Sequence, residues 1–357
     1  MSAQESTINC APVPPVPVRQ FWMQCGKNLA QSMARVSCAG FHGNSASESW
    51  SVGLNEYLAT AAGTQRLASA TKRGRMAQSL LLLVLAFMPG AARTETIDTE
   101  HLFGFTIGSD VGEIGEREVE GSATGRFSKR TGTYVAGTST LSVEYVPMPN
   151  LRTELTGVVN SYDISGVSGL ADQHYTAFGG LAADFRYRLL NRATAPFGFA
   201  VGAEPRWGRS DEVTGEPARQ YGVDFVAAAD WEVVPNRVVA AFNLLYQPET
   251  TRPKLTGTWS QDSTAGIAMA VMAQVRSGIF VGAEARYLRV YDGPGFDNLA
   301  GQGFFVGPTI YFKLPQRAWL AVAWSAQVAG HATAAVGALD LVNFERQQAR
   351  ILFGINF

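Results

Sequence analysis

The sequence predicts an all-β protein, an antiparallel up-and-down β-barrel of about twelve strands that closes on itself and crosses a membrane. Three features predict it. Apolar and polar residues alternate along most segments after residue 101, as in strands with one apolar and one polar face. Short turns containing Pro, Asn or Gly alternate with longer polar connections. The chain also ends on an aromatic residue, Phe357, that belongs to the apolar face of its last strand.

Composition narrows the class further. The 357 residues carry 29 Lys and Arg against 30 Asp and Glu, so the near-neutral charge gives no electrostatic footprint for nucleic acid. A mean hydropathy of +0.01 is too low for a bundle of membrane helices, but it fits strands whose two faces average out. The three cysteines, Cys10, Cys25 and Cys38, all precede the alternating segments, and a body without cysteine suits an exported protein with no disulfide framework.

Residues 72–92 have the pattern of a cleaved secretory signal peptide. A basic start at Lys72 and Arg73 leads to an apolar core that ends at Phe87, and small residues follow up to Ala92. The apolar run is far shorter than the roughly 20 residues that a membrane-spanning helix needs. Residues 1–71 show no sustained period, so we interpret them as a non-native or disordered extension from a mis-called start. This leaves residues 93–357 as the predicted barrel.

Twelve segments show the alternation of a strand. The sixth is typical, because Tyr221, Phe225 and Trp231 share one face and Asp224 and Asp230 share the other. Aromatic residues at both ends of an apolar face are what two interfacial girdles require. The predicted strands cover residues 103–110, 135–145, 151–160, 175–188, 197–207, 221–233, 238–246, 267–275, 279–287, 304–313, 320–328 and 346–357.

The connections between these segments are of two kinds. Short turns such as Pro235-Asn236 and Ser277-Gly278 alternate with longer polar loops, the first of which is predicted at residues 113–131. With an even number of strands, both chain ends lie at the same end of the barrel as the short turns. A soluble β-sandwich has mixed loop lengths at both ends, so the alternation favours a barrel.

The last strand carries the most specific signal. Ile351, Phe353, Ile355 and Phe357 share its apolar face. This ending resembles the closing strand of bacterial outer-membrane β-barrels, which ends on Phe with apolar residues at every second position before it. The resemblance covers residues 101–357, and it implies a location in the outer membrane of a Gram-negative bacterium and contact with its lipid. It also implies that the barrel-insertion machinery recognises these four residues.

Charged residues fall on the face opposite the apolar one, and Asp110 in the first predicted strand joins them. An Arg on the lipid side costs about 2–4 kcal/mol at the midplane of the bilayer, so these residues are assigned to the lumen. The predicted lumen-lining residues are Glu144, Arg152, Glu154, Asp184, Arg186, Arg188, Glu204, Arg206, Asp224, Asp230, Glu232, Glu284, Arg286, Arg346 and Arg350.

This charged set permits two interpretations. Arg guanidinium groups can bind carboxylates across the lumen, so the pairs could simply satisfy one another inside a filled barrel. The same pairs could instead form a constriction that orients polar solutes. Barrels of this size can be packed or open, so the alternation itself does not decide between them.

No pattern of catalytic residues stands out. His101, His174 and His331 lie far apart near strand ends or in loops, where a histidine is usually a solvated polar residue. Ser168 lies in a Gly-Val-Ser-Gly turn that falls short of the Gly-x-Ser-x-Gly motif. Residues 292–295, Asp-Gly-Pro-Gly, lack the oxygen-rich spacing of a calcium loop. The sequence therefore predicts no enzyme activity, no cofactor and no metal site.

A channel or facilitator for small polar or charged solutes is the favoured function. An outer-membrane hydrolase acting on lipid or peptide, and a filled barrel whose long loops serve surface contacts, are the alternatives. The expected partners are outer-membrane lipid, the insertion machinery and small solutes, without nucleic acid. Nothing on the outward face specifies an oligomeric state.

Overall fold

The structure, a computed structural model, describes residues 97–357. The predicted extension (1–71) and signal peptide (72–92) lie outside the described residues. Within the described part of the chain, no helix is long and apolar enough to cross a membrane.

Twelve antiparallel strands form one closed barrel. Each strand pairs with its neighbours in sequence, and β1 closes the barrel by pairing with β12. The strands are β1 (Arg117–Phe127), β2 (Thr133–Met148), β3 (Leu151–Ser165), β4 (Gln173–Leu190), β5 (Gly198–Ser210), β6 (Pro217–Val234), β7 (Val238–Pro253), β8 (Ser260–Arg276), β9 (Ile279–Asp292), β10 (Leu299–Lys313), β11 (Ala318–Ala332) and β12 (Gln347–Asn356). The predicted fold class and the predicted number of strands are both confirmed.

The outer surface of the barrel is apolar along its height. On β2, Leu141 and Val143 are 64% and 57% exposed, while Ser142 and Glu144 between and beside them are buried on the inner side. Outward aromatic residues mark both ends of this surface and are Tyr145, Tyr187 and Trp231 at one end and Trp207, Tyr221 and Trp259 at the other. A continuous apolar exterior between two aromatic girdles is the surface of a transmembrane barrel, because soluble proteins rarely expose an apolar patch of this size to water.

The two ends of the barrel differ in their connections. The turn end contains Arg117, Phe357 and the two-residue connections at residues 149–150 and 277–278. The loop end contains the connections at residues 128–132, 211–216 and 333–346, among others. The predicted strict alternation of short and long connections is wrong at one place, because residues 191–197 make a turn-end connection as long as several loops.

The first predicted strand is also wrong. Residues 103–110 form no strand and lie inside the barrel, and β1 (Arg117–Phe127) comes from the segment predicted as a long polar loop, 113–131. The outward face of β1 carries small residues such as Gly121 and Ala123, so it lacks the apolar alternation that marks the other strands. The apolar residues before it alternate because they pack into the barrel interior.

Candidate functional site

Residues 97–112, which we call the plug, occupy the turn-end half of the barrel lumen. Within the described chain the plug makes no β-bridge with the wall. Its apolar side chains pack on inward residues of the neighbouring strands. The residues of this cluster are Ile97, Leu102 and Phe103 from the plug and Val239, Ala241, Ala270, Met272 and Phe280 from β7, β8 and β9. The lumen predicted as polar therefore has an apolar sector, which the plug covers.

Glu284 of β9 binds the backbone of the plug at its middle. One carboxylate oxygen accepts the backbone N–H of Gly104 at 2.6 Å and the hydroxyl of Thr309 at 2.5 Å. The other accepts the N–H groups of Phe105 and Thr106 at 2.9 and 2.6 Å. Glu284 is 4% exposed, so a buried charge here replaces the hydrogen bonds that a strand ladder would have supplied.

Two further polar residues hold the plug closer to the turn end. Asp230 of β6 accepts hydrogen bonds from the hydroxyl of Thr99 at 2.7 Å and from the N–H of Ser109 at 2.6 Å. Asn243 of β7 accepts the N–H of Ile107 at 2.7 Å and donates to its carbonyl at 2.8 Å. Asp230 and Asn243 are both completely buried, so the plug supplies the hydrogen bonds that water would otherwise make to their side chains.

Arg192 crosses the turn end from the long β4–β5 connection. It donates to the carbonyl of Ile97 at 2.5 Å, contacts Asp110 at 2.7 Å and forms an ion pair with Asp230. Arg188 of β4 reaches the same Asp110 at 3.4 Å. These contacts explain the length of the β4–β5 connection, because a two-residue turn is too short to place an arginine side chain inside the lumen.

Glycine permits the plug to approach the wall closely at Gly104 and to fold closely on itself at Gly108. A Cβ atom on Gly104 would lie 2.2 Å from Cβ of Ala323, and one on Gly108 would lie 2.0 Å from the carbonyl oxygen of Thr99. Neither position has room for a side chain without a backbone shift. The apolar-Gly alternation that mimics a strand in the sequence is therefore a packing requirement of the plug.

A cluster of carboxylates surrounds His101 where the plug meets β1 and β2. Nε2 of His101 lies 3.2 Å from Glu118 and 3.8 Å from Glu100, and Nδ1 lies 3.8 Å from Glu120. The ring stacks on Trp319 with a centroid separation of 4.2 Å. Burial by itself lowers the pKa of His101, but its contact with Glu118 and the neighbouring carboxylates raise the pKa to about 10. The expectation that His101 is a solvated rim residue is wrong, because its side chain is 7% exposed.

Arg152 of β3 neutralises part of the same cluster. Its guanidinium lies 3.1 Å from Glu144, 2.6 Å from Glu154, 3.4 Å from Asp184 and 3.5 Å from Glu100. One arginine shared by four carboxylates leaves an excess of negative charge in a buried region. Burial, followed by repulsion from Glu144, accordingly raises the pKa of Glu100 well above its ordinary value.

A second charged network lies above the plug, toward the loop end. Arg206 contacts Glu249 at 2.5 Å, Asp224 at 3.1 Å and Glu212 at 3.5 Å. Arg126 of β1 reaches Glu212 from the other side at 2.9 Å. The side chain of Glu212 is 41% exposed. The charged network above the plug therefore reaches solvent at the loop end.

The β11–β12 connection folds over part of the loop end. Phe344 packs edge-on against Phe305 with a centroid separation of 5.7 Å, and Asp340 is completely buried. Lys129 of the β1–β2 loop donates to the carbonyl of Val342 at 3.0 Å. Burial lowers the pKa of Lys129 to about 8, although nearby carboxylates raise it in part. This cover narrows the loop-end entrance.

The turn-end mouth contains a cavity of about 760 Å³ below the plug. Its lining includes Asp98 and Arg192 on the plug side and Lys313, Arg317 and Phe357 at the rim. Burial, and then repulsion from Asp110, raises the pKa of Asp98. The plug thus separates this cavity from the charged region above it.

The structure distributes the predicted lumen residues among these regions. Those that contact the plug are Arg188, through Asp110, and Asp230, Glu284, Arg286 and Arg350. Those around Arg152 are Glu144, Arg152, Glu154, Asp184 and Arg186. Those toward the loop end are Arg206 and Asp224, and Glu232 lies 3.9 Å from Arg192 at the turn end.

Two residues of the predicted set behave differently from the rest. Glu204 takes part in no ion pair within the described residues. Arg346 does not line the lumen, because it is exposed and precedes β12 in the loop-end connection. Its backbone explains the position, since its N–H donates to the carbonyl of Ser128 and its carbonyl accepts from Gln327. Arg346 thus extends the hydrogen bonding of β12 toward β11 and the β1–β2 loop by one residue, at the exposed rim of the loop end.

Several lumen residues were not predicted from the sequence. Glu118, Glu120 and Arg126 were missed with β1, although their shared parity with Ser122 and Thr124 is a polar alternation. Arg192 was interpreted as part of a turn, and Asn243 and Glu249 were not singled out. For Arg192 the only available signal was a charged residue in an unusually long turn-end connection.

The four residues of the predicted insertion signature lie on the outward face of the closing strand. Ile351, Phe353, Ile355 and Phe357 are 51%, 41%, 41% and 64% exposed. Their neighbours on the inner side include Leu352, which is buried. The other predicted histidines lie on the surface, with His174 pairing with Asp163 at 2.9 Å and His331 exposed.

Comparison with known proteins gives a family but no function. The profile of a family of unknown function (DUF6662) matches residues 95–357. No curated protein matches the sequence. Among solved structures, the COG4313 outer membrane channel from Pseudomonas putida F1 is similar at 14% identity and a TM-score of 0.48, over 70% of this chain and 98% of that one.

Two other outer-membrane barrels are similar at lower scores. The NanC porin is 10% identical with a TM-score of 0.41, over 67% of this chain and 98% of that one. The translocator domain of the autotransporter NalP from Neisseria meningitidis is 10% identical with a TM-score of 0.40, over 80% and 96%. Identities and scores this low carry no argument about what this chain transports or binds.

Proposed function

We propose that this chain, which belongs to the DUF6662 family, is a gated outer-membrane channel for small polar or charged solutes, with the plug as its gate. One observation carries the proposal. The plug contacts the wall through side-chain hydrogen bonds, ion pairs and an apolar cluster, and no strand pairing links it to the sheet. It can therefore leave the lumen while every pairing of the twelve strands stays intact.

The charged side chains in the lumen favour a channel for solutes over a barrel that is merely filled by its own side chains. Desolvating charges inside a protein is costly, and apolar residues fill a space of this size at lower cost. The strands nevertheless place acidic and basic side chains along the lumen from Glu144 near the turn end to Arg126 near the loop end. A lumen of this kind is suited to water and to solutes that exchange hydrogen bonds with it.

The sign of the lumen supports a preference for cations. The inward charges on the strands are acidic at Glu118, Glu120, Glu144, Glu154, Asp184, Glu204, Asp224, Asp230, Glu232, Glu249 and Glu284, and basic at Arg126, Arg152, Arg186, Arg188, Arg206, Arg286 and Arg350. Acids therefore outnumber arginines along the path. Rings of acidic side chains favour cations in channels.

A reversible crosslink tests the gate. A Cβ atom on Gly198 of β5 would lie 3.1 Å from Cβ of Ser109 in the plug, slightly below the roughly 3.5–4.5 Å of a disulfide. The variant Ser109→Cys/Gly198→Cys, made without the three cysteines that precede the barrel, should form this bond under oxidation. We expect planar-bilayer recordings to show little or no current when it is oxidised and current bursts after dithiothreitol is added.

The single-cysteine variants serve as controls, because their conductance should not respond to oxidant or reductant. The reversal potential of the reduced pair in a salt gradient reports the selectivity. Equal currents from the oxidised and reduced double variant would show that the plug is not the gate. No current from any variant, with the disulfide confirmed by mass spectrometry, would count against a channel.

The folded-in β11–β12 connection favours a second candidate, a filled barrel whose loops serve surface contacts. Phe344 and Asp340 close part of the loop end just as the plug closes the turn end. Residues 113–131, predicted as the first long loop, contain β1 and so cannot be deleted to test surface contacts. The alternative instead predicts no current even after removal of the plug. A hydrolase remains a prediction from the sequence that no observation here favours.

A further inference from the structure

Donor atoms of Glu100, Glu118 and Glu144 surround the imidazole of His101 between the plug and the wall. Nε2 of His101 lies 3.2 Å from Oε2 of Glu118 and 3.8 Å from Oε2 of Glu100. One carboxylate oxygen of Glu144 lies within 4.8 Å of the donors of Glu100 and His101. Ligands that sit 2.0–2.2 Å from a tetrahedral zinc ion are themselves about 3.3 Å apart. The His101–Glu118 pair has this spacing, and Glu100 and Glu144, which form a separate group with His101 within 4.8 Å, would move closer to complete a zinc-type site.

The two nearest donor atoms lack hydrogen bonds. Nε2 of His101 and Oε2 of Glu118 are buried and have no hydrogen-bond partner anywhere in residues 97–357. Their side chains are only 7% and 1% exposed. Buried polar atoms in folded proteins nearly always have a hydrogen-bond partner or a bound ion. The two atoms lie 3.2 Å apart and form an ion pair when His101 is protonated, and with Nε2 deprotonated both can bind an ion beside them.

The surrounding residues orient these donors as the second shell of a metal site does. The indole Nε1 of Trp319 donates to the other oxygen of Glu118 at 3.1 Å, which fixes that carboxylate. The same indole stacks on the imidazole with an interplanar angle of 10°. Nδ1 of His101 faces Glu120, so a proton on Nδ1 would leave the Nε2 lone pair directed at the cluster. A carboxylate behind a ligand histidine is the common arrangement in zinc proteins.

The region also contains more carboxylates than guanidinium groups. Two guanidinium groups, those of Arg152 and Arg186, contact this cluster. The carboxylates around them and around His101 belong to Glu100, Glu118, Glu120, Glu144, Glu154 and Asp184. Neither arginine lies in contact with Glu118 or Glu120. A divalent cation beside His101 would neutralise the carboxylates that the arginines leave.

We propose that Glu100, His101, Glu118 and Glu144 bind one divalent metal ion of the zinc type. Two of the ligands belong to the plug and two to the wall strands β1 and β2, so the ion joins the plug to the barrel. The site is independent of whether solutes pass through the lumen. In a gated channel, the ion would hold the gate shut and its removal would loosen it.

The test is zinc binding by the barrel in detergent, made without the cysteines that precede it and stripped with a chelator. Titration calorimetry with zinc should show one ion per chain. Cobalt at the same site should give the intense visible absorption of a four-coordinate ion. His101→Gln and Glu118→Gln should each lower the zinc affinity by at least about 10- to 100-fold, and Glu120→Gln, which only orients the histidine, by a smaller factor.

His174→Gln is the matched control, because His174 is exposed on β4 and lies outside the cluster, so zinc affinity should not change. Heat-modifiable gel migration confirms that each variant is a folded barrel. The competing occupant is a proton on His101. Absence of stoichiometric zinc binding by the wild-type barrel, or a ¹⁵N spectrum in which His101 stays an imidazolium at saturating zinc, overturns the proposal. Equal losses in His101→Gln and His174→Gln do so as well.

Discussion

Replacing Glu284 by glutamine tests how firmly the wall holds the plug. The carboxylate accepts three backbone N–H groups from Gly104, Phe105 and Thr106 and the hydroxyl of Thr309. Glutamine has the same shape but only one acceptor oxygen. Its NH₂ group would therefore face at least one of these donors, which would lose its hydrogen-bond acceptor. The substitution therefore weakens the plug contacts without opening a cavity.

The expected magnitude follows from these contacts. A hydrogen bond to a charged group contributes about 1.5–3 kcal/mol, and a buried donor without a partner costs about 1–3 kcal/mol. Glu284 is 4% exposed, so solvent does not offset these losses while the plug remains in place. Losing two such contacts shifts the balance between bound and released plug by about 3 kcal/mol. At about 1.4 kcal/mol per factor of ten, the released population rises roughly a hundredfold.

Single-channel recording measures this population as open probability. We expect Glu284→Gln to raise the open probability by one to two orders of magnitude, with unchanged conductance per open event. Glu249→Gln is the matched control, because Glu249 lies in the upper network with Arg206 and Gln220 and does not contact the plug. An open probability that is the same in both variants would refute the assignment of Glu284 to the gate.

Three further predictions concern other parts of the molecule. Burial lowers the pKa of Lys129 to about 8, below the unfolded value near 10.5. Its loop should therefore gain stability as pH rises from about 8 to 10.5, and lose that stability as pH falls through 8. Hydrogen-exchange protection of residues 333–346, which Lys129 contacts at Val342, should show this change in the wild type and not in Lys129→Met. Arg192→Gln should lower the free energy of unfolding by about 3–5 kcal/mol, since it leaves the buried carboxylate of Asp230 without its ion pair, and adding Asp230→Asn should restore part of the urea midpoint. Met269→Arg, in the middle of the outward face of β8, should cost about 2–4 kcal/mol in urea unfolding from lipid vesicles, whereas Val275→Arg near the turn end should cost about 0–1 kcal/mol, and equal costs would contradict the membrane position.

The wall of the barrel could be predicted because lipid and lumen impose opposite demands on successive residues. On β6, Tyr221, Phe225 and Trp231 face outward and Asp224 and Asp230 inward, as the alternation predicts. The same reasoning failed before residue 127. Between Val119 and Phe127 the outward face of β1 consists of Gly121, Ala123 and Gly125, so it carries little of that signal.

The plug could not be predicted from alternation for the opposite reason. Phe103, Phe105 and Ile107 alternate with smaller residues, but they pack inside the lumen, where Glu284 and Asn243 replace the partners of a strand. Alternation shows that one face of a segment is apolar. It does not show whether that face contacts lipid or the interior of the barrel.

The cluster around His101 depends on contacts that no local pattern encodes. Glu118 comes from β1, Glu144 from β2 and Trp319 from β11, and only barrel closure and the position of the plug bring them together. Inward parity predicted Glu144, while His101 was assigned to a solvated rim. The charged residues could be placed on the correct face, but their partners could not be named.

Removal of the plug tests the central claim most directly. A barrel that lacks residues 97–112 keeps all twelve strands, since β1 begins at Arg117. Gel migration with and without heating, and circular dichroism, establish that this variant folds. Its conductance in a planar bilayer should be a continuous ohmic current, where the intact protein shows closed periods. A folded deletion variant that conducts no more than the intact protein would contradict the account.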